Sequence, residues 1–161
     1  MTVFDNNYKF WLGGFAEGEG SLTISIVKHD KATHGFLLQP EFNVAQHVNG
    51  LNILKNFKIL FNNKGQIHKK SGSINVWVYT LKGINNLNDY LVPYSSKYNN
   101  KEFDKFIYIL NKWKEKSKFE KEEFINIIKL VYDLNPDGKG KNRKRTLSDI
   151  LLIIEKKNIT K

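Results

Sequence analysis

Two glycines four residues apart and two glutamates two residues apart share the stretch LGGFAEGEGS, Leu12 to Ser21, where a helical pattern gives way to a strand pattern. The preceding residues, Asn6 to Phe15, suit a helix and are apolar at Phe10, Trp11, Leu12 and Phe15. Gly14 and Gly18 leave one face of that helix without side chains. Glycine costs about 1 kcal/mol relative to alanine inside a helix, so Gly13, Gly14 and Gly18 are expected together only where close backbone approach offsets the loss. A second copy of the same helix is such a partner. Contacts between small residues at this spacing are best attested in membranes, but this segment is charged and too short to cross one. The expected contact residues are Trp11, Gly14, Phe15 and Gly18.

In a two-fold pair built on that helix, Glu19 of each chain lies near Glu19 of the other, and the repulsion must be relieved by a cation or by protonation. Carboxylate oxygens are hard ligands, which points to Mg²⁺. Glu17 is read as part of the interface or of the helix end.

The segment resembles the signature of the LAGLIDADG homing endonucleases, in the subclass with one motif per chain that acts as a homodimer. Gly14, Phe15, Gly20 and Ser21 fit common forms of the motif. Gly13 stands where alanine is usual, and Glu17 and Glu19 where aspartates are usual. The resemblance implies a site-specific, Mg²⁺-dependent endonuclease cutting both strands of a long, nearly palindromic target, with Glu19 and the Gly18 carbonyl holding the metal. It also implies a glutamine at the end of the second strand, matched by Gln46, and a lysine after the proline-bounded segment. Lys97 matches the latter, with Lys101 next in line because the spacing after Pro93 is one residue shorter than usual. An amide does not titrate, so Gln46 would orient water rather than take a proton.

Composition agrees with a polyanionic partner. Lys and Arg number 26 against 16 Asp and Glu, a formal charge of +10, which on a folded domain favours nucleic acid over an anionic membrane surface. At 161 residues and 40% hydrophobic content the chain fits a single globular domain over residues 1–161. The N-terminus, MTVFDNNYKF, has neither a secretory apolar region nor an Arg-rich transit pattern. With no cysteine, disulfides and thiolate zinc sites are excluded. Richness in Lys, Asn, Ile and Phe, with Arg143 and Arg145 the only arginines, resembles translation from an A+T-rich genome, as in an organelle.

Beyond the first helix, Leu22, Ile24 and Ile26 alternate with Thr23, Ser25 and Val27, the period of a strand. A second strand alternates Leu38, Pro40, Phe42 and Val44 with Leu37, Gln39, Glu41 and Asn43, with Pro40 arguing for an edge or a bulge. Leu51, Leu54, Phe57 and Phe61 mark an amphipathic helix ending near Asn62, Asn63 and Gly65. Two strands follow, Gln66 to Lys70 and Ile74 to Leu81, around a Ser71-Gly72-Ser73 turn, with Val76 and Val78 taken as the core side. Helices are expected from Ile84 to Leu91, ending at Pro93, from Phe103 to Trp113, around Phe124 to Val131, and last after a cap at Thr146 or Ser148. The order αββαββα with added C-terminal helices is an α+β fold whose four antiparallel strands form one sheet.

The strand face left for solvent or for DNA then carries Thr23, Ser25, His29, Gln39, Glu41, Asn43, Gln66, His68, Lys70, Asn75 and Trp77. Such a face can be an ordinary solvated surface, but amides and cations can also read base edges in the major groove of double-stranded DNA. Lys139, Lys141, Arg143, Lys144 and Arg145 form a basic run suited to phosphate contacts. His29, His34, His47 and His68 lack a paired metal spacing. A nucleic-acid binder without cleavage, such as an intron maturase, is the alternative function, and an acid at position 19 argues for cleavage instead.

Overall fold

The computed structural model describes residues 4–94, 101–115, 118–134 and 143–159. The described residues fall into two compact units, one drawn from Met1–Leu22 and Pro40–Asn99, the other from Thr23–Gln39 and Asn100–Lys161.

Helix α1 spans Asn6–Glu19; the Asp5 carboxylate accepts the Tyr8 amide at 2.7 Å and so caps its start. Strands β1 (Gly20–Lys28) and β2 (Phe36–His47) follow, then α2 (Leu51–Leu60), β3 (Gln66–Lys69) and β4 (Val76–Lys82). Asn62, Asn63 and Gly65, the expected stop signals of α2, all have positive φ. The four strands form one sheet in the order β1-β2-β4-β3, with β4 antiparallel to both β2 and β3.

In the first unit, Leu12, Phe42, Val44, Leu54, Phe57, Phe61, Tyr79 and Leu81 are buried. Phe57 is the hub, its ring within 6.3 Å of those of Phe15, Phe42, Phe61 and Tyr79. Burial also pushes the Tyr79 phenol above its usual range, and its hydroxyl donates to the Lys64 carbonyl at 2.8 Å. Truncating Phe57 to alanine leaves a cavity among four rings, so urea denaturation should show a loss of about 3–5 kcal/mol.

Helix α3 (Ile84–Asn86) continues as a π-helical turn over Leu87–Leu91 and a 3₁₀ turn over Val92–Tyr94. Pro93 therefore lies inside that last turn instead of ending the segment before it. In the second unit, α4 (Lys101–Glu115), α5 (Lys121–Tyr132) and α6 (Leu147–Ile159) contribute Phe106, Ile109, Leu110, Phe124, Ile127, Ile128, Val131, Ile150 and Ile154 to the core. Thr146 caps α6: its amide donates to Asp149 at 2.9 Å, and its hydroxyl takes the Asp149 amide at 3.1 Å. The Thr146 hydroxyl bond also holds the Asp149 carboxyl below its usual range. The turn around Asn135 to Gly138 lies outside the described residues.

Two strand expectations need correction. Pro40 sits in β2, which lies between β1 and β4 rather than at an edge. Its carbonyl accepts from the Gly83 amide at 3.2 Å, one step beyond the last β2–β4 pair, Glu41 with Lys82. A strand residue's N–H and C=O point the same way, so the missing donor falls at the end of that ladder and leaves its middle intact. In β4 the faces are exchanged: Tyr79 and Leu81 are fully buried, whereas Val76 and Val78 are only half-buried. Trp77 shares the parity of Tyr79 and Leu81, so it lies on the helix-side face and not on the open one.

Candidate functional site

The C-terminal end of α1 is built around Gly20. Its backbone, at φ −79° and ψ 156°, is open to any residue, but a Cβ there would stand 2.1 Å from the Ala16 carbonyl oxygen and 3.1 Å from the Phe42 ring. Glycine is required by contact, and the Gly20 amide completes the helix by donating to Ala16. Glu17, Gly18 and Glu19 are exposed at this end. The last turn holds no basic residue, so two carboxylates sit beside the negative pole of the helix. That arrangement repels anions and suits a hard cation. Among the described residues no group of three or more His, Asp or Glu side chains is placed to hold a metal.

The solvent side of α1 is a stripe of Trp11, Gly14 and Gly18, with Phe10 alongside; Trp11 is 49% exposed. A Cβ at Gly14 or Gly18 would meet nothing within 4 Å. Phe15 differs from these: it is half-buried, its ring 5.4 Å from Trp11 and 6.3 Å from Phe57.

Gln46 lies near the end of β2, paired with Trp77 of β4, which in turn pairs with Lys69 of β3. The Lys69 ammonium is 5.7 Å from the Trp77 ring centroid. Gly20 packs on Phe42, and β2 beyond Phe42 runs back toward the helix from which β1 emerges, so Gln46 and the tip of α1 share one end of the sheet. Lys97 lies outside the described residues, as does the side chain of Lys101.

On the open face of the first unit, Asn43 stands opposite Thr80. His68 Nε2 and Thr80 Oγ1 are hydrogen-bonded at 3.1 Å, and the Thr80 hydroxyl lies 2.6 Å from Asn43 Oδ1, to which it donates. Asn43 Nδ2 is left as a buried donor without a partner. The Glu41 carboxylate is engaged by Lys82 at 2.9 Å and is 20% exposed. Gln66 and Lys70 are exposed, and Asn75 precedes β4 with its carbonyl accepting the Val48 amide at 2.7 Å.

In the second unit, Ser25 and Gln39 are exposed and Thr23 half-buried, on the side of their strands opposite buried Ile24 and Leu38, and His29 is exposed just beyond β1. Arg143 is not a free cation. Its Nη2 donates to the Val131 carbonyl at 2.7 Å near the end of α5, and its guanidinium lies 4.9 Å from the Tyr132 ring centroid. Burial lowers its affinity for the proton. Lys144 is exposed, Arg145 is half-buried with its carbonyl accepting from the Tyr132 hydroxyl, and Lys139 and Lys141 lie outside the described residues.

Residues 12–117 match the profile of the LAGLIDADG endonucleases. The chain belongs to the LAGLIDADG endonuclease family. It is 40% identical to the DNA endonuclease I-CeuI of Chlamydomonas moewusii over 90 residues, 56% of this chain and 41% of that protein. It thus spans less than half the length of that curated relative. Two solved structures share its fold, each with a TM-score of 0.83 and 26% identity over 96% of this chain: the archaeal intron-encoded homing endonuclease I-Vdi141I complexed with DNA, 98% of which is covered, and the group I intron-encoded homing endonuclease I-CeuI complexed with DNA, 79% covered.

Within this LAGLIDADG chain, the sequence did not single out Thr80, Lys82 or Lys69. Assigning Tyr79 and Leu81 to the core would have placed Thr80 and Lys82 on the open face by their period of two.

Proposed function

We propose that the chain is a homing endonuclease, a homodimer that hydrolyses both strands of double-stranded DNA at a long pseudo-palindromic site, with residues 1–161 serving as one endonuclease domain. The observation that carries this reading is the acidic tip of α1, exposed beside a bare glycine stripe, inside the segment that matches an endonuclease family. A formal charge of +10 supports a DNA substrate. Among the described residues no helix is long and apolar enough to cross a membrane. The A+T-type composition supports expression from an organelle genome, with the protein acting there.

The donor set fits a hard divalent cation, and Mg²⁺ is the proposed metal, held by the Glu19 carboxylate and the Gly18 carbonyl together with phosphate oxygens. When bound, Mg²⁺ supplies a more acidic water and neutralises charge developing on phosphorus. Gln46 orients the attacking water through its amide. A lysine, Lys97 or else Lys101, offsets negative charge at the scissile phosphate. On the open faces, Thr23, Ser25, His29, Gln39, Gln66, His68 and Lys70 contact bases or backbone. Lys144 and Arg145 supply phosphate contacts, which set affinity and not sequence.

Incubation with a randomised duplex library and Mg²⁺, followed by sequencing of the cut ends, should return one extended site with two-fold related halves. Binding without cut ends would favour the maturase-type reading instead.

A further inference from the structure

Gly50 closes the short turn Val48–Gly50 that links β2 to α2. Its backbone, φ −95° and ψ 12°, is within the range of ordinary residues, so no backbone constraint calls for glycine. Space does. A Cβ at this position would stand 2.7 Å from Gln46 Oε1 and 3.4 Å from Gln46 Cβ and Cδ. The amide of Gln46 is thus folded over the bare Cα of Gly50. The platform beneath it is fixed at two points: His47 Nδ1 accepts the Asn49 amide at 3.3 Å, and the Val48 amide donates to Asn75 at 2.7 Å.

The geometry points to Gly50 as a positioning residue for Gln46, a role that rests on reading Gln46 as the water-orienting group. An alanine at 50 would force the amide oxygen back by about 0.7 Å to reach ordinary contact at 3.4 Å. The far end of a glutamine moves easily, so the fold absorbs the change. The water held by that amide does not stay in line, and misplacement on the order of 1 Å costs roughly 10²-fold in rate.

The test is a double-mutant cycle on Gly50→Ala and Gln46→Ala, using the duplex recovered from the library as substrate, with single-turnover cleavage and duplex affinity measured separately. Gly50→Ala should slow cleavage on the order of 10- to 100-fold with affinity unchanged, and should add nothing when Gln46 is already alanine. Wild-type cleavage by Gly50→Ala, or an equal loss in the Gln46→Ala background, overturns the positioning role alone. Wild-type cleavage by Gln46→Ala overturns both that role and the reading of Gln46. Circular dichroism of Gly50→Ala should match the parent, since the atoms a Cβ there would meet all belong to the flexible Gln46 side chain.

Discussion

Glu19→Gln should reduce cleavage in Mg²⁺ by at least about 10³-fold while the variant still binds its target. The amide keeps the size of the carboxylate and loses its charge, and the charge is what a hard cation requires. The local setting sharpens the expectation. Glu19 is exposed at the negative pole of α1, with no basic residue in the last turn to neutralise it. In a dimer paired through this helix, two carboxylates brought to about 4 Å would repel by about 4 kcal/mol at an effective dielectric of 20. Removing both charges relieves that repulsion, so in EDTA the Gln variant should bind duplex at least as tightly as the parent. Electrophoretic mobility shifts in EDTA and cleavage assays in Mg²⁺ check the two halves independently. Retained cutting would take Glu19 out of the mechanism, and lost binding would make it a structural residue of the helix end.

The order of elements was legible because each was marked twice, by its period and by its stop signals. Helix α2 shows this well, with an apolar stripe at Leu54 and Phe57 and left-handed Asn62, Asn63 and Gly65 after it. The motif at Leu12 to Ser21 was legible because glycine and glutamate at a helix end are costly without a purpose. The facing of β4 was not. Val76 and Val78 on one parity, and Trp77 and Tyr79 on the other, are both apolar, so alternation alone cannot choose between them. Leu81 breaks the tie: it shares the parity of Tyr79, whose ring fills the space beside Phe57 and Phe61, and both are fully buried. Trp77 moved to the helix-side face with that choice, and Thr80 took its place as the link between Asn43 and His68. The roles of Gly50 and Arg143 were hidden for another reason. Each depends on a neighbour's side chain or carbonyl, Gln46 for one and Val131 for the other, and no local pattern encodes that neighbour.

Gly14→Leu should abolish dimer formation while leaving the isolated chain at least as stable as before. Within one chain the new side chain meets open space, since nothing lies within 4 Å of a Cβ at this position. Replacing glycine by a good helix former inside α1 should add about 0.8 kcal/mol of stability. Across a two-fold contact the same side chain is introduced twice, where two bare backbones would otherwise touch. Overpacking costs about 1–3 kcal/mol per site, so the pair should weaken self-association by roughly 100-fold or more. Cleavage should fall with it, because a lone subunit presents one acidic tip to a reaction that needs two. Sedimentation velocity across a concentration series reads the association, and thermal melting of the dilute monomer reads the fold. A normal dimer with a raised melting temperature would place the subunit contact elsewhere than the Trp11, Gly14 and Gly18 stripe, whereas loss of both dimer and fold would show that Gly14 packs inside the chain.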